Sequence, residues 1–126
     1  MEIKIKEPAR KFQVGSNIKV TLKDCGSIKL NPDEQVTFFT NDGKEYDVTR
    51  KEWGYYATPS INGRLKKANF KTALVINKKK QIFIMLVEKD KIDIFLKYIK
   101  EDYQTVLCWL EIDENIDCLM KNYFHS

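Results

Sequence analysis

Asp42, Asp47, Tyr55, Tyr56 and Arg64 are the residues of this 126-residue chain whose types could support proton transfer. Two carboxylates could act as acid or base, two phenols could assist, and a guanidinium could hold a carboxylate or phosphate bidentately. No spacing forces the five together. His125, the single histidine, sits one residue from the end of the chain and is a poor base. No phosphate-cradling glycine loop, GxGxxG fingerprint or nucleophile elbow is present. Cys25, Cys108 and Cys118 are odd in number, widely spaced and without a CxxC pair, so they suggest neither a disulfide framework nor a zinc site. Free buried thiols are the expectation, with Cys108 a small hydrophobe inside the run VLCWL. No metal or cofactor is expected.

Binding chemistry has a stronger signal, in Lys51 to Leu65, KEWGYYATPSINGRL. Pro59 fixes its own φ and pushes Thr58 towards an extended shape, so a strand should end near Ala57. Ser60 can cap a following turn, and Ile61, Arg64, Leu65 and Ala68 recur at helical spacing, which predicts a short helix from about Ile61 to Ala68. Asn62 and Gly63 weaken it, the glycine by about 1 kcal/mol relative to alanine. An anion could then be held by the first amides of that helix and by Arg64, with Trp53, Tyr55, Tyr56, Thr58, Ser60, Asn62 and Lys67 completing the ligand-binding corner. Tyr55 and Tyr56 point to opposite sides of their strand, so one would line the site and the other enter the core. A plainer expectation competes with this one: a strand-to-helix corner whose aromatics are all core, with Arg64 paired to Glu52 or Asp47.

Charge is unevenly spread behind a net of +4. From Gly63 to Lys80 the chain is basic, with Arg64, Lys66, Lys67, Lys71 and Lys78 to Lys80 and no acid. From Glu101 onward it is acidic. The leading expectation is a non-enzymatic binding or accessory protein for an anionic small molecule or an acidic protein partner. The alternative is a small enzyme using carboxylate, tyrosine or arginine groups at the same corner. A second alternative is nucleic-acid binding through the 63–80 stretch, favoured by lysines interleaved with aromatics and disfavoured by the acidic C-terminal quarter.

The elements that must position these residues follow from periodicity. Strands are expected at Ile3–Lys6, at Ile18–Lys23 and at Ser27–Leu30 after a turn at Asp24-Cys25-Gly26. Gln35–Thr40 and Lys44–Thr49 flank the hairpin signal Asn41-Asp42-Gly43. This half should be an antiparallel β-meander. Phe70–Asn77 and Gln81–Glu88 should pair through a solvated tip at Lys78 to Lys80. The run IFIMLV, apolar without alternation, suggests a central strand covered on both faces. Ile92, Phe95, Leu96 and Ile99 mark a helix capped by Asp90 with Asp93 in its first turn, Thr105–Leu110 is a further strand, and Ile116, Leu119, Met120 and Tyr123 fit a C-terminal helix. The fold class is α+β: the meander joined to a mixed sheet packed by two or three helices, in one domain over residues 1–126.

At 43% hydrophobic and 32% charged residues the composition is that of an ordinary globular chain, and no apolar run approaches the ~20 residues of a membrane helix. The start, MEIKIKEPARK, lacks the apolar core of a secretory signal, so a cytoplasmic location is expected. Oligomeric state is left open.

The run WGYYATPSINGRL, with FKTALV, IMLVE and CWLE after it, resembles a small family of uncharacterised bacterial proteins associated with surface-polysaccharide gene sets. The resemblance spans Asp33 to Glu111. It implies a bacterial cytoplasmic setting and draws attention to Trp53, Tyr55, Tyr56, Thr58, Ser60, Asn62 and Arg64, but brings no reaction or cofactor. The stretch GSIKLNPDEQVTFF resembles the strand-and-turn rhythm of cupin barrels, yet the metal-binding histidines of that family have no counterpart here.

Overall fold

A computed structural model describes residues 1–111 and 120–121. Charged and aliphatic residues alternate at the start of the chain, and they fold as a long two-stranded ribbon of β1 (Glu2–Val14) and β2 (Val20–Lys29). Both strands run further than expected. Pro8 lies inside β1 and the Asp24-Cys25-Gly26 signal lies inside β2, because the register slips between Ile5 and Arg10 and leaves Lys6 to Ala9 opposite Cys25 alone. A bulge tolerates a proline that has no ladder N–H, and Gly26, at φ +155°, sits where a Cβ would run into the Lys4 carbonyl.

The hairpin signal at Asn41-Asp42-Gly43 is met by β3 (Gln35–Phe39) and β4 (Glu45–Lys51), and β5 (Gly54–Ala57) adds a third strand in the order β3-β4-β5. The N-terminal half therefore forms two separate antiparallel sheets, where one meander was expected. A single helical turn, α1 (Arg64–Lys67), leads into β6 (Phe70–Ile76), which pairs with β7 (Ile82–Glu88) on one side and β8 (Thr105–Trp109) on the other. All pairings in this third sheet are antiparallel, so it is not mixed. Its central strand is β6, whose residues are all buried or half-buried, while the IFIMLV run forms the edge strand β7.

One 3-10 turn (Lys89–Lys91) precedes α2 (Ile92–Glu101), which packs across β7 and β8. Lys91 occupies the cap position without a side-chain bond, so Asp90 does not cap the helix; Asp93 does lie in its first turn. Ala73, Val75 and Ile99 form the core, with Met85, Phe95, Tyr98, Val106 and Trp109 packed against them and Phe95 edge-on to Trp109 at 5.9 Å. Leu96, expected on the same stripe, is 43% exposed, and Tyr98 takes its place. Cys25 and Cys108 are free and both exposed, Cys108 on the sheet face away from α2, so it is not the buried hydrophobe expected. Cys118 and, apart from Met120, the expected C-terminal helix lie outside the described residues. No helix among the described residues is long and apolar enough to cross a membrane.

Candidate functional site

The Lys51–Leu65 corner divides into two unrelated clusters. Glu52 and Trp53 form the turn between β4 and β5, opposite the Lys51–Gly54 pair. There Trp53 stacks on Tyr56 at 6.0 Å, while the Arg50 guanidinium donates to the Gly54 carbonyl at 3.0 Å and lies over the Tyr55 ring. Trp53, Tyr55 and Tyr56 are 71%, 61% and 44% exposed, so none is core. Among the described residues this four-residue edge strand, entered through a tight turn, has no layer above it to bury them.

The second cluster is built on Asp47, a residue only 4% exposed. It accepts Thr37 Oγ1 at 2.6 Å and Arg64 Nη2 at 2.5 Å, and Arg64 also donates to Thr58 Oγ1 at 3.4 Å. The Thr37 hydrogen bond and then the Arg64 charge hold its carboxyl below the usual carboxylate range. Arg64 is thus committed to a structural acid, as the plainer expectation had it. Helix α1 is a single turn preceded by Gly63, and Ser60 contributes its carbonyl, which accepts from Gly63 and Leu65, while no side chain caps the helix. One turn offers no anion-holding N-terminus, so that part of the expected corner is absent. Ser60, Asn62 and Lys67 are exposed and Thr58 is half-buried.

A cleft of about 670 Å³ lies elsewhere, between the β1–β2 loop, the β6–β7 tip and the C-terminal end of α2. Asp102, 1% exposed, organises it. Its Oδ1 accepts the amides of Ser16, Asn17 and Ile18 at 2.8, 2.7 and 3.0 Å, and its Oδ2 accepts Gln104 Nε2 at 2.6 Å. The Asn17 amide foremost, with those of Ile18 and Ser16 and the Gln104 side chain, holds this carboxyl below its ordinary value. Gly15, at φ +117°, lets the loop wrap that carboxylate, since a Cβ there would strike the Ile18 carbonyl.

Helix α2 closes with Tyr103 N–H bonded to the Lys100 carbonyl and Gln104 N–H to that of Ile99, a Schellman end with Tyr103 at φ +57° where glycine is usual. This places the Tyr103 ring under Lys78 Nζ at 4.1 Å. Lys19 and Lys79 also line the cleft, Lys19 Nζ donating to the Gly15 carbonyl at 2.8 Å, and Val14, Phe83, Met85 and Tyr98 supply apolar wall. The lysine tip is therefore part of a cleft wall and not merely solvated. Tyr98, Tyr103 and Lys19 escaped the sequence reading; a bulky residue directly after a helical run that lacks a C-terminal glycine was the available signal. Among the described residues no group of three or more His, Cys, Asp or Glu could hold a metal ion.

No protein-family model, curated protein or solved structure matches the chain.

Proposed function

We propose that this chain is a non-enzymatic binding protein that holds an anionic small molecule with an apolar or aromatic portion in the cleft beside the β6–β7 tip. One observation carries the reading. Lys19, Lys78 and Lys79 line a cleft together with Val14, Phe83, Met85, Tyr98 and Tyr103 and the uncharged polar Ser16, Asn77, Gln81 and Gln104, while Asp102, the one carboxylate among the lining residues, is spent on backbone amides. A concave, mostly apolar site with a few convergent charges suits a small ligand. Catalysis is the weaker reading, because Asp47 and Arg64, the groups it would use at the corner, are engaged with each other. The resemblance to proteins of surface-polysaccharide gene sets puts nucleotide sugars first among candidate ligands, in a bacterial cytoplasmic setting and with the chain acting as one α+β domain.

The test is a thermal-shift panel of nucleotide sugars, nucleotides and simple anions, repeated on the Lys78→Ala/Lys79→Ala variant. A ligand of the folded state raises Tm, by about 2.7 kcal/mol of added stability at a hundred times its Kd. The shift should vanish in the double variant while its ligand-free Tm stays near wild type. A shift that survives there but disappears in Arg64→Ala would return the site to the corner. Silence across the panel would remove the small-molecule reading in favour of an acidic protein partner.

A further inference from the structure

The N-terminal ribbon carries the whole net charge of the chain. Residues 2–29 hold seven basic side chains against three acids, while residues 30–126 hold fifteen of each, so the net +4 resides on β1, β2 and their loop. The ribbon is a two-stranded sheet, and most of its residues are exposed. Side chains alternate across it, and the register sorts them into two faces. Ile3, Ile5, Phe12, Leu22 and Ile28 fall on one. The other is polar: it pairs Gln13 with Thr21, Lys11 with Lys23, Lys4 with Ser27 and Glu2 with Lys29.

This polar face is built for an anionic partner. Lys11 and Lys23 stand directly opposite each other, an arrangement that destabilises a sheet and that a bound anion relieves. Lys4, Lys11, Lys23 and Lys29 are all exposed, and none has an ion-pair partner among the described residues. Neighbouring acids leave most of this charge standing. Glu2 offsets Lys29, and Glu7 lies in the bulge outside the paired ladder. Asp24 is spent on Lys6 and Arg10, Glu34 on the Met1 ammonium and Asp33 on Lys51. The basic stretch 63–80 is different, since there Arg64 is bound to Asp47, Lys71 lies over Trp109 and Lys78 over Tyr103.

We infer that the polar face of the ribbon lies along double-stranded DNA and holds its phosphates without reading sequence. From Lys23 to Lys29 the strand covers about 20 Å at roughly 3.3 Å per residue, too long for one small anion and suited to a run of phosphates. A two-stranded ribbon also has a width that the major groove admits. Lysines meet phosphates as point charges, and this face carries no aromatic ring on which an unpaired base could stack. A bilayer would take the ribbon by its isoleucine face, which turns these lysines away from the headgroups and forfeits their attraction. The polar face shares no residue with the cleft, so the two sites stand or fall separately.

The test is fluorescence anisotropy of the full chain with a labelled DNA duplex of about 20 base pairs, which at roughly 3.4 Å per pair outreaches the ~40 Å ribbon. With Lys4, Lys11 and Lys23 on phosphates, log affinity should fall with log salt at a slope of about −2.7, a loss of about 40-fold between about 50 and 200 mM. Lys11→Ala/Lys23→Ala should weaken binding at about 50 mM salt by about tenfold or more and flatten the slope by about 1.8. Lys4→Ala, at a second position on the same face, should weaken it by about threefold or more. Lys89→Ala/Lys97→Ala removes as much charge from exposed sites outside the ribbon and should change affinity by less than about threefold. Absence of wild-type binding at about 50 mM salt overturns the inference, and sedimentation with phosphatidylserine vesicles in its place would assign the ribbon to a membrane. Equal losses in the two double variants overturn it too, because net charge alone would then attract the DNA.

Discussion

Asp102 and Asn17 meet across 85 positions of sequence, the Asn17 amide donating to Asp102 Oδ1 at 2.7 Å, while the Asn17 side chain donates to the neighbouring Glu101 carbonyl at 2.8 Å. The N-terminal ribbon would otherwise be a two-stranded hairpin, a structure of marginal stability in water. This attachment fixes its loop to the end of α2, and the Met1 ammonium paired with Glu34 at 3.2 Å holds the opposite end. The cleft beside the β6–β7 tip exists because of the first attachment. Its lining residues come from both the ribbon loop and the helical layer.

Asp102 should therefore make the fold sensitive to acid. Its carboxyl titrates below the ordinary aspartate value in the folded chain. In the unfolded chain it titrates near that value, so on acidification the unfolded state takes up its proton first and stability falls. The contribution is fully present above about pH 4 and is lost as pH drops through the folded pKa. Asp102→Ala should cost about 3 kcal/mol or more, because three amides lose an ionised partner, and should remove this part of the acid dependence. Urea unfolding of both proteins between about pH 2 and pH 6 measures it, and parallel pH profiles would show that the carboxylate does not carry the attachment.

Arg64→Ala should lower stability and leave binding in the cleft intact. Asp47 is nearly buried, and the substitution leaves its charge with Thr37 as the chief remaining side-chain donor. Breaking a buried pair costs about 3 to 5 kcal/mol, but the Arg64 side chain is 56% exposed and water screens the interaction, so about 1 to 2 kcal/mol is expected. Unfolding free energies and the ligand-induced Tm shift of the same variant check both halves of the prediction.

Tyr103 occupies a left-handed position that a bulky side chain adopts at a cost, and strain of this kind collects where a residue serves a site. Tyr103→Gly should change stability by less than about 1 kcal/mol, since relief of that strain offsets the modest packing of a ring that is 51% exposed. The same substitution should weaken ligand binding at least as much as Lys78→Ala, because the ring that orients Lys78 is gone. Isothermal titration of both variants with a ligand found in the thermal-shift panel decides this.

Features set by neighbours in sequence were legible. Asn41-Asp42-Gly43 closes β3 onto β4, Lys78 to Lys80 close β6 onto β7, and the spacing of Ile92, Phe95 and Ile99 marks the buried stripe of α2. What depends on distant partners was not. Leu96 and Tyr98 both border that stripe, and only the position of the sheet decides which is covered. The IFIMLV run reads as central because both its faces are apolar, yet strand order among the described residues places it at an edge. At the corner, aromatic type suggested core, but among the described residues no element lies over β5, and Trp53, Tyr55 and Tyr56 stay exposed. The cleft was hidden because its carboxylate, Asp102, holds a loop more than 80 positions away while its lysines come from that loop and from the β6–β7 tip, and no local pattern announces such a meeting.

The two tryptophans separate what is surface from what is core, and they should respond oppositely to one reagent. Trp53 is 71% exposed on its turn and touches Tyr56, whereas Trp109 is half-buried, edge-on to Phe95, with Lys71 Nζ over its ring at 4.3 Å. Acrylamide should quench Trp53 emission strongly in the native state and Trp109 weakly, so Trp53→Phe should leave a blue-shifted, poorly quenched spectrum and Trp109→Phe a red-shifted, well-quenched one. Stability should divide in the same way. Trp53→Ala should stay within about 0.5 kcal/mol of wild type, as surface changes do, while Trp109→Ala removes a large side chain from the α2 layer and should cost about 3 kcal/mol. Equal quenching in the two phenylalanine variants would put Trp53 under cover, and the exposed aromatic turn described for β4 and β5 would then be wrong.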